Sequence, residues 1–279
     1  MPSLGLFALN QTENSRQTLT RIAPLAEDLG YDSIWMGEHV VAPDPRIPPS
    51  PMEPDDPILD GVAALSFLAG ITERIRLATG IVILPQRNPL VLAKQLASLD
   101  ILSGGRLMFG MGVGYLEPEM SAIGVPMERR GARADEYLAA MRALWEQEKP
   151  SFEGEFVSFS GVNAHPRPVQ SPLPVIVGGH TPAAFRRAAR KGQGWYGFFL
   201  DREQTAQCVA GLREALAEAG RDEQGFEITV TPRGKLDAEM VADFAEIGVD
   251  RLVFIPPFAS PLDEIEEFVR GHAPKELGT

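Results

Sequence analysis

The sequence predicts an α/β protein, a single-domain (β/α)8 TIM barrel. Three observations lead there. Short apolar runs alternate with segments of helical periodicity eight times within 279 residues, and eight βα units of that length suit a closed barrel. Most of the runs are apolar throughout rather than at every second residue, the pattern of strands covered on both faces of a parallel sheet. The polar, irregular stretches follow the runs, where a barrel keeps its site. A doubly wound sheet is the competing architecture, but it usually has fewer strands and places its phosphate loop after the first.

The first strand is LGLFAL (4–9), followed by a helix marked by Leu19, Ile22, Ala26 and Leu29. SIWMG (33–37) is the second; it runs into Glu38 and His39, then a Pro-rich loop, 41–57, then a helix through Val62, Leu65 and Leu68. IRLATGIVIL (75–84) is the third, followed by PQRNP and a helix through Leu92, Leu96 and Leu99. RLMFGMGV (106–113) is the fourth; a polar loop, GVGYLEPEM (112–120), leads to a helix through Leu138, Met141, Leu144 and Trp145. FEGEFVSFSG (152–161) reads as a small β-hairpin after that fourth helix. LPVIVGG (173–179), GWYGFFL (194–200), FEITVTP (226–232) and RLVFIPP (251–257) complete the eight strands. Their helices carry Phe185 and Ala188, then Cys208 and Leu212, then Val241 and Phe244, then Ile265 and Val269. Gly30, Gly104, Gly192, Gly220, Gly248 and Gly271 fit helix C-caps. No linker divides the chain, so one domain over 1–279 is expected.

Composition narrows the partners. A net charge of −12 and a pI near 4.9 argue against nucleic acid or an anionic membrane, both of which reward a basic surface. A phosphorylated small molecule stays compatible, because a phosphate needs only a few local donors. Cys208 is the one cysteine, which excludes an internal disulfide and fits the inner face of its helix. There is no HxH, HExxH or CxxC, so no zinc site is expected. No charged start precedes a long apolar run, and no stretch approaches the ~18 apolar residues of a span. A cytoplasmic protein acting on a small molecule, as a homodimer, is the expectation.

Three places on the predicted rim carry chemistry. A strand built for burial should not end in Glu38 and His39, because an unpaired buried polar group costs roughly 1–3 kcal/mol or more. Either the two satisfy each other, or that strand end is the site. The glycine run GMGVG (110–114) is followed by Tyr115 and is not G-x-G-x-x-G; it reads as small residues that let the barrel interior pack a ligand closely. In VIVGGHTP, Thr181 and Pro182 can open a helix whose free N–H groups suit a phosphate. A tight βα turn with a Thr cap is the equal alternative there. Arg186, Arg187, Arg190 and Lys191 read as solvated helix charge.

Together these segments closely resemble the bacterial luciferase-like monooxygenase superfamily, above all the branch that uses deazaflavin coenzyme F420. The matching stretches are GYDSIWMGEH, ITERIRLATGIVILPQRNPLVLAKQLASLDILSGGRLMFGMGVGY, GVPMERRGARADEYLAAMRALW and VIVGGHTPAAFRRAARKGQGW. They cover most of the first 195 residues; the last 80 agree only in spacing. The resemblance implies a barrel whose C-terminal mouth binds a deazaflavin or flavin ring beside His39 and Glu38. It implies a bulge in the third strand, at Thr79, Gly80 and Ile81, with a cis Gly80–Ile81 bond behind the ring. Gly178, Gly179, His180 and Thr181 match the segment that holds the cofactor's phosphate side, and loop 41–57 matches a variable lid. Some deazaflavin dehydrogenases carry a proton-donating Glu directly after the fourth strand's glycines. Here Tyr115 stands there, to wall the ring, with Glu117 or Glu119 nearby, and a sugar-phosphate dehydrogenase becomes doubtful.

His39 is the expected acid–base group, with Glu38 holding its tautomer. The leading function is hydride transfer between F420 and a small organic substrate. An FMN-dependent monooxygenase on the same fold is the alternative. A non-redox barrel, whether binding protein or hydrolase, comes third, since no metal or nucleophile set is recognisable.

Overall fold

A computed structural model describes residues 1–279. In chain order the elements are β1 (Ser3–Phe7), α1 (Ser15–Asp28), β2 (Ser33–Met36), α2 (Gly61–Ala69), β3 (Arg76–Thr79), β4 (Val82–Ile83), α3 (Pro89–Leu102) and β5 (Leu107–Gly112). Next come α4 (Glu117–Ala122), α5 (Arg130–Glu146), β6 (Phe152–Glu153), β7 (Ser158–Phe159), β8 (Val175–Gly178), α6 (Pro182–Lys191) and β9 (Gly194–Leu200). The chain ends with α7 (Arg202–Glu218), β10 (Glu227–Pro232), α8 (Ala238–Ile247), β11 (Arg251–Phe254), α9 (Leu262–Gly271) and α10 (Pro274–Leu277).

The parallel pairings run β1–β2–β3–β5–β8–β9–β10–β11 and close on β1, with β3 and β4 sharing the third position. This is the expected (β/α)8 barrel. Closure explains why the strands are apolar at both parities. Phe7, Trp35, Ala78, Met108, Ile176, Tyr196 and Val253 point inward and, with Ala8, form an eight-residue inner cluster. Their neighbours, among them Leu6, Ile34, Leu77, Phe109, Val177 and Leu252, point outward into a 57-residue core beneath the helices. Each fully buried Leu, Ile or Phe contributes about 1.5–3 kcal/mol.

The barrel floor, at the N-terminal strand ends, is ionic. Arg251 on β11 has only 3% of its side chain exposed. It donates to Asp32 at 2.7 and 2.9 Å, pairs with Glu227, and lies 6.0 Å from the Trp35 ring. A buried guanidinium persists because its donors find carboxylates on both sides. The hairpin after the fourth helix of the repeat is present, with Phe152 opposite Phe159 and Glu153 opposite Ser158. Cys208 is buried on α7 as read.

Four expectations need correction. The strands end before the apolar runs do: the ladders stop at Phe7, Met36, Gly178 and Phe254, because the chain turns off the sheet at the mouth. The run 75–84 is not one strand. It breaks between Thr79 and Val82, where the Gly80–Ile81 bond is cis, as the family resemblance implies. The polar loop 112–120 contains α4, started by Pro118 in its first turn with Glu117 and Glu119 beside the positive end of the helix dipole. Finally, Gly30, Gly104, Gly220 and Gly248 do follow their helices with φ of 88°, 66°, 68° and 96°. Gly192 is the C-cap of α6 as well, though with extended backbone at φ −102°, whereas Gly271 is the last residue inside α9.

Candidate functional site at the barrel mouth

β2 ends at the C-terminal mouth, and its next residues diverge. His39 turns toward α4, where its Nδ1 lies 2.9 Å from Glu119 Oε2. Glu119 is fully buried; its other oxygen accepts the Val40 N–H at 2.6 Å. A carboxylate in that place holds the proton on Nδ1 and leaves Nε2 as the working atom. Nε2 faces the Tyr115 hydroxyl at 3.5 Å, with the two rings edge-on. Tyr115 is half exposed; burial of its hydroxyl end, then the Glu119 charge, hold its pKa above the ordinary value.

Glu38 turns the other way. Its carboxylate accepts the Ile83 N–H at 2.7 Å and pairs with Arg87, which reaches on to Asp60 at 2.6 Å. Asp60 is also the N-cap of α2. Glu38 therefore does not hold the His39 tautomer; Glu119 does. Glu38 clamps the end of β2 to β4 and α2. Burial raises its pKa despite Arg87 and the Ile83 N–H, which favour the carboxylate.

The glycine run packs against the third strand. A Cβ on Gly110 would stand 1.9 Å from the Thr79 carbonyl, and one on Gly112 would stand 1.9 Å from Ile81 Cδ1. On Gly178 it would meet Ile81 Cγ2 at 3.2 Å. These glycines make room for the third-strand bulge. Thr79 is buried and donates to the Gly110 carbonyl at 2.7 Å, so its hydroxyl holds the bulge. Gly80 backs onto Phe7 and Trp35. What reaches the mouth is the part-buried Ile81.

At the end of β8, Thr181 accepts the Ala184 N–H at 3.3 Å and Pro182 opens α6, so the Thr-capped turn is present. Gly179 has φ of 124°, and its carbonyl accepts the Trp195 indole N–H at 2.7 Å. His180 Nε2 accepts the Phe198 N–H at 3.0 Å, and burial lowers its pKa, which favours the neutral ring. Arg187 is not solvated charge: its side chain is 10% exposed and pairs with Asp135 on α5 at 2.7 Å. Lys191 reaches the same carboxylate at 3.8 Å, while Arg186 and Arg190 are exposed.

The rim thus brings His39, Tyr115 and Glu119 together on one side and Gly178, Gly179, His180 and Thr181 on another, with Gly80 and Ile81 in the third-strand position. The sequence reading missed Arg87 and the pairing of Glu119 with His39. PQRNP offered the arginine, but nothing local says which carboxylate it meets.

The sequence model of the luciferase-like monooxygenase family matches residues 4–235. An uncharacterised protein of Mycobacterium tuberculosis strain H37Rv is 38% identical over 250 residues, 86% of this chain and 88% of that one. An F420-dependent glucose-6-phosphate dehydrogenase of Kineococcus radiotolerans is 29% identical over 79% of this chain and 64% of its own. An FMNH2-dependent dimethylsulfone monooxygenase of Pseudomonas putida is 33% identical over 49% of this chain and 38% of its own. Among solved structures, the monooxygenase RslO1 of Streptomyces bottropensis superposes with a TM-score of 0.79, 25% identity and 96% coverage of both chains. By sequence and by fold, the chain belongs to the luciferase-like monooxygenase family.

Proposed function

We propose that the protein is an F420-dependent oxidoreductase that moves a hydride between the cofactor and a small organic substrate. One observation carries the reading: His39 stands at the barrel mouth with Nδ1 held by buried Glu119 and Nε2 left for proton transfer. The choice of F420 over FMN rests on the motif resemblance, and an F420-dependent relative that aligns over 79% of the chain supports it. The mouth suits such a group. Ile81, backed by Gly112 and Gly178, offers an apolar face to a ring. The start of α6 at Thr181 and Pro182 offers N–H groups and a dipole to its phosphate side. When bound, F420 supplies a carbon centre that takes or gives a hydride and, unlike a flavin, does not activate oxygen.

The chain's own residues do the rest. His39 Nε2 takes or returns the substrate's proton as the hydride moves. Glu119 keeps the ring in that tautomer and steadies it when protonated. Tyr115 is placed to wall the site beside His39, and the Glu38–Arg87–Asp60 bridge fixes the strand end that carries the histidine. Fluorescence-quenching titrations with F420 and with FMN test the assignment. F420 binding in the micromolar range or tighter, with weaker FMN binding, is expected. Micromolar FMN binding with none for F420 replaces this reading by the flavin monooxygenase one.

A further inference from the structure

Phe199 is unusual in two ways. Its φ of 57° lies in the left-handed region, which bulky side chains rarely enter. Yet the residue is 51% exposed, so burial within the chain offsets only part of the strain. It is the extra residue of a bulge: Phe198 pairs with Thr231 and Leu200 with Pro232, and Phe199 has no partner on β10. The bulge keeps the alternation in step. Tyr196 faces the interior, and Leu200 returns to the outer core at 5% exposure. Glycine makes such a bulge without strain. An exposed phenylalanine in its place points to a contact made outside the folded chain.

Its surroundings say what kind of contact. Phe199 sits at the C-terminal end of β9, on the mouth. Its ring centroid is 6.2 Å from that of Phe198, which is 41% exposed and lies 5.2 Å from Phe7. Phe7 in turn backs onto Gly80 at the third-strand bulge. An aromatic row therefore runs from the rim to the candidate ring site, and Val40, Tyr115 and Phe258 add exposed apolar surface on other loops at the C-terminal strand ends. Cations on the loops after β2, β4 and β10 pair with carboxylates: Arg46 with Glu53, Arg87 with Glu38 and Asp60, Arg233 with Asp201, and Lys235 with Asp237.

We propose that Phe199, with Phe198 beside it, forms an apolar wall of the substrate site, and that the substrate is an uncharged, ring-sized apolar molecule rather than a phosphorylated one. The inference rests on the mouth being the reaction site, as proposed above, and not on which cofactor binds there. Calorimetric titration of the purified protein with 1-tetralone and with glucose 6-phosphate, with and without F420, tests it in the wild type, Phe199→Gly and Phe199→Leu. Tetralone should bind the wild type more tightly than the sugar phosphate does. Phe199→Gly should weaken tetralone binding by about tenfold, with Tm unchanged or raised as the backbone strain goes. Phe199→Leu should keep most of the affinity, and F420 affinity should change by less than about twofold. Unaltered tetralone binding in Phe199→Gly, no tetralone binding to the wild type, or tighter binding of glucose 6-phosphate each overturns the wall. Loss of F420 binding alone, with the tetralone pattern intact, removes the cofactor assignment and leaves the wall standing.

Discussion

His39 Nδ1 and Glu119 Oε2 are 2.9 Å apart across 80 residues of sequence, and the carboxylate has no exposed surface. Glu119 accepts two N–H groups there, from His39 and Val40, and an amide in its place must turn an NH2 toward one of them.

That gives the first prediction. His39→Ala should lower single-turnover hydride transfer about 10²-fold through lost proton transfer. Glu119→Gln, which leaves the imidazole in place but misdirects it, should lower it about 10-fold. F420 affinity should fall less in both. Stopped-flow absorbance at 420 nm reads the rate and quenching reads the affinity. Equal losses in rate and affinity would falsify the positioning role of Glu119.

Arg87 neutralises a carboxylate that is 3% exposed. Removing one partner of such a buried pair costs about 3–5 kcal/mol, so Arg87→Ala should be severely destabilised at neutral pH. The pH dependence follows from Glu38, whose folded pKa is raised by burial above its unfolded value. Stability tied to such a group is complete below the unfolded pKa and is lost as pH rises through the folded one. Without Arg87 the folded pKa moves further up, and the loss at neutral pH grows. The gap between variant and wild type in urea midpoint should therefore be smaller at pH 5.5 than at pH 8. A gap independent of pH would mean Glu38 stays ionised without its partner.

Arg251 on the barrel floor and Arg129 on the surface both pair with glutamates, but their weights differ. The Arg251 side chain is 3% exposed, while Arg129 and Glu155 are 58% and 56% exposed. Arg251→Ala should cost about 3 kcal/mol or more, since it leaves Glu227 and Asp32 facing each other over a cavity. Arg129→Ala should shift the urea midpoint far less, because solvent screens an exposed pair. Urea unfolding at one ionic strength separates them, and similar costs would contradict the contrast in burial.

Gly112 has no room for a side chain, because Ile81 Cδ1 fills the place. Gly112→Ala should push the Ile81 tip toward the mouth and weaken cofactor binding. Ile81→Val, which shortens that tip, should restore part of the affinity in the double variant. A cycle of F420 titrations measures the coupling, expected at about 0.5–3 kcal/mol for residues in contact. Additive effects would show that the glycine and the isoleucine act on the site separately.

Much of the fold was legible along the chain. Helix and strand periodicities are local, and a barrel buries both faces of its strands, so runs such as VIV at 175–177 and RLVF at 251–254 announce themselves without knowledge of their neighbours. The strand ends holding His39 and the turn at Thr181 were likewise visible, because apolar runs stop where the mouth begins. The cis Gly80–Ile81 bond was foreseen from the family resemblance and not from the residues themselves, whose apolar run reads as a regular strand.

Closure of the barrel decided the rest. Glu38 and His39 are adjacent, yet the backbone sends one toward Arg87 and the other toward Glu119, because neighbouring side chains leaving a strand point to opposite sides. Gly110, Gly112 and Gly178 acquire their purpose only when β5 and β8 are laid in register against Thr79 and Ile81. The extra residue at Phe199 shows only against β10, where the ladder skips it. The sequence by itself determined which segments become strands and helices and that their ends carry polar chemistry, since burial and local propensity are written residue by residue. Which carboxylate holds the histidine, which glycine admits which side chain, and which ring stands on the rim belong to the tertiary structure, because each depends on register and distance between segments that have no local knowledge of one another.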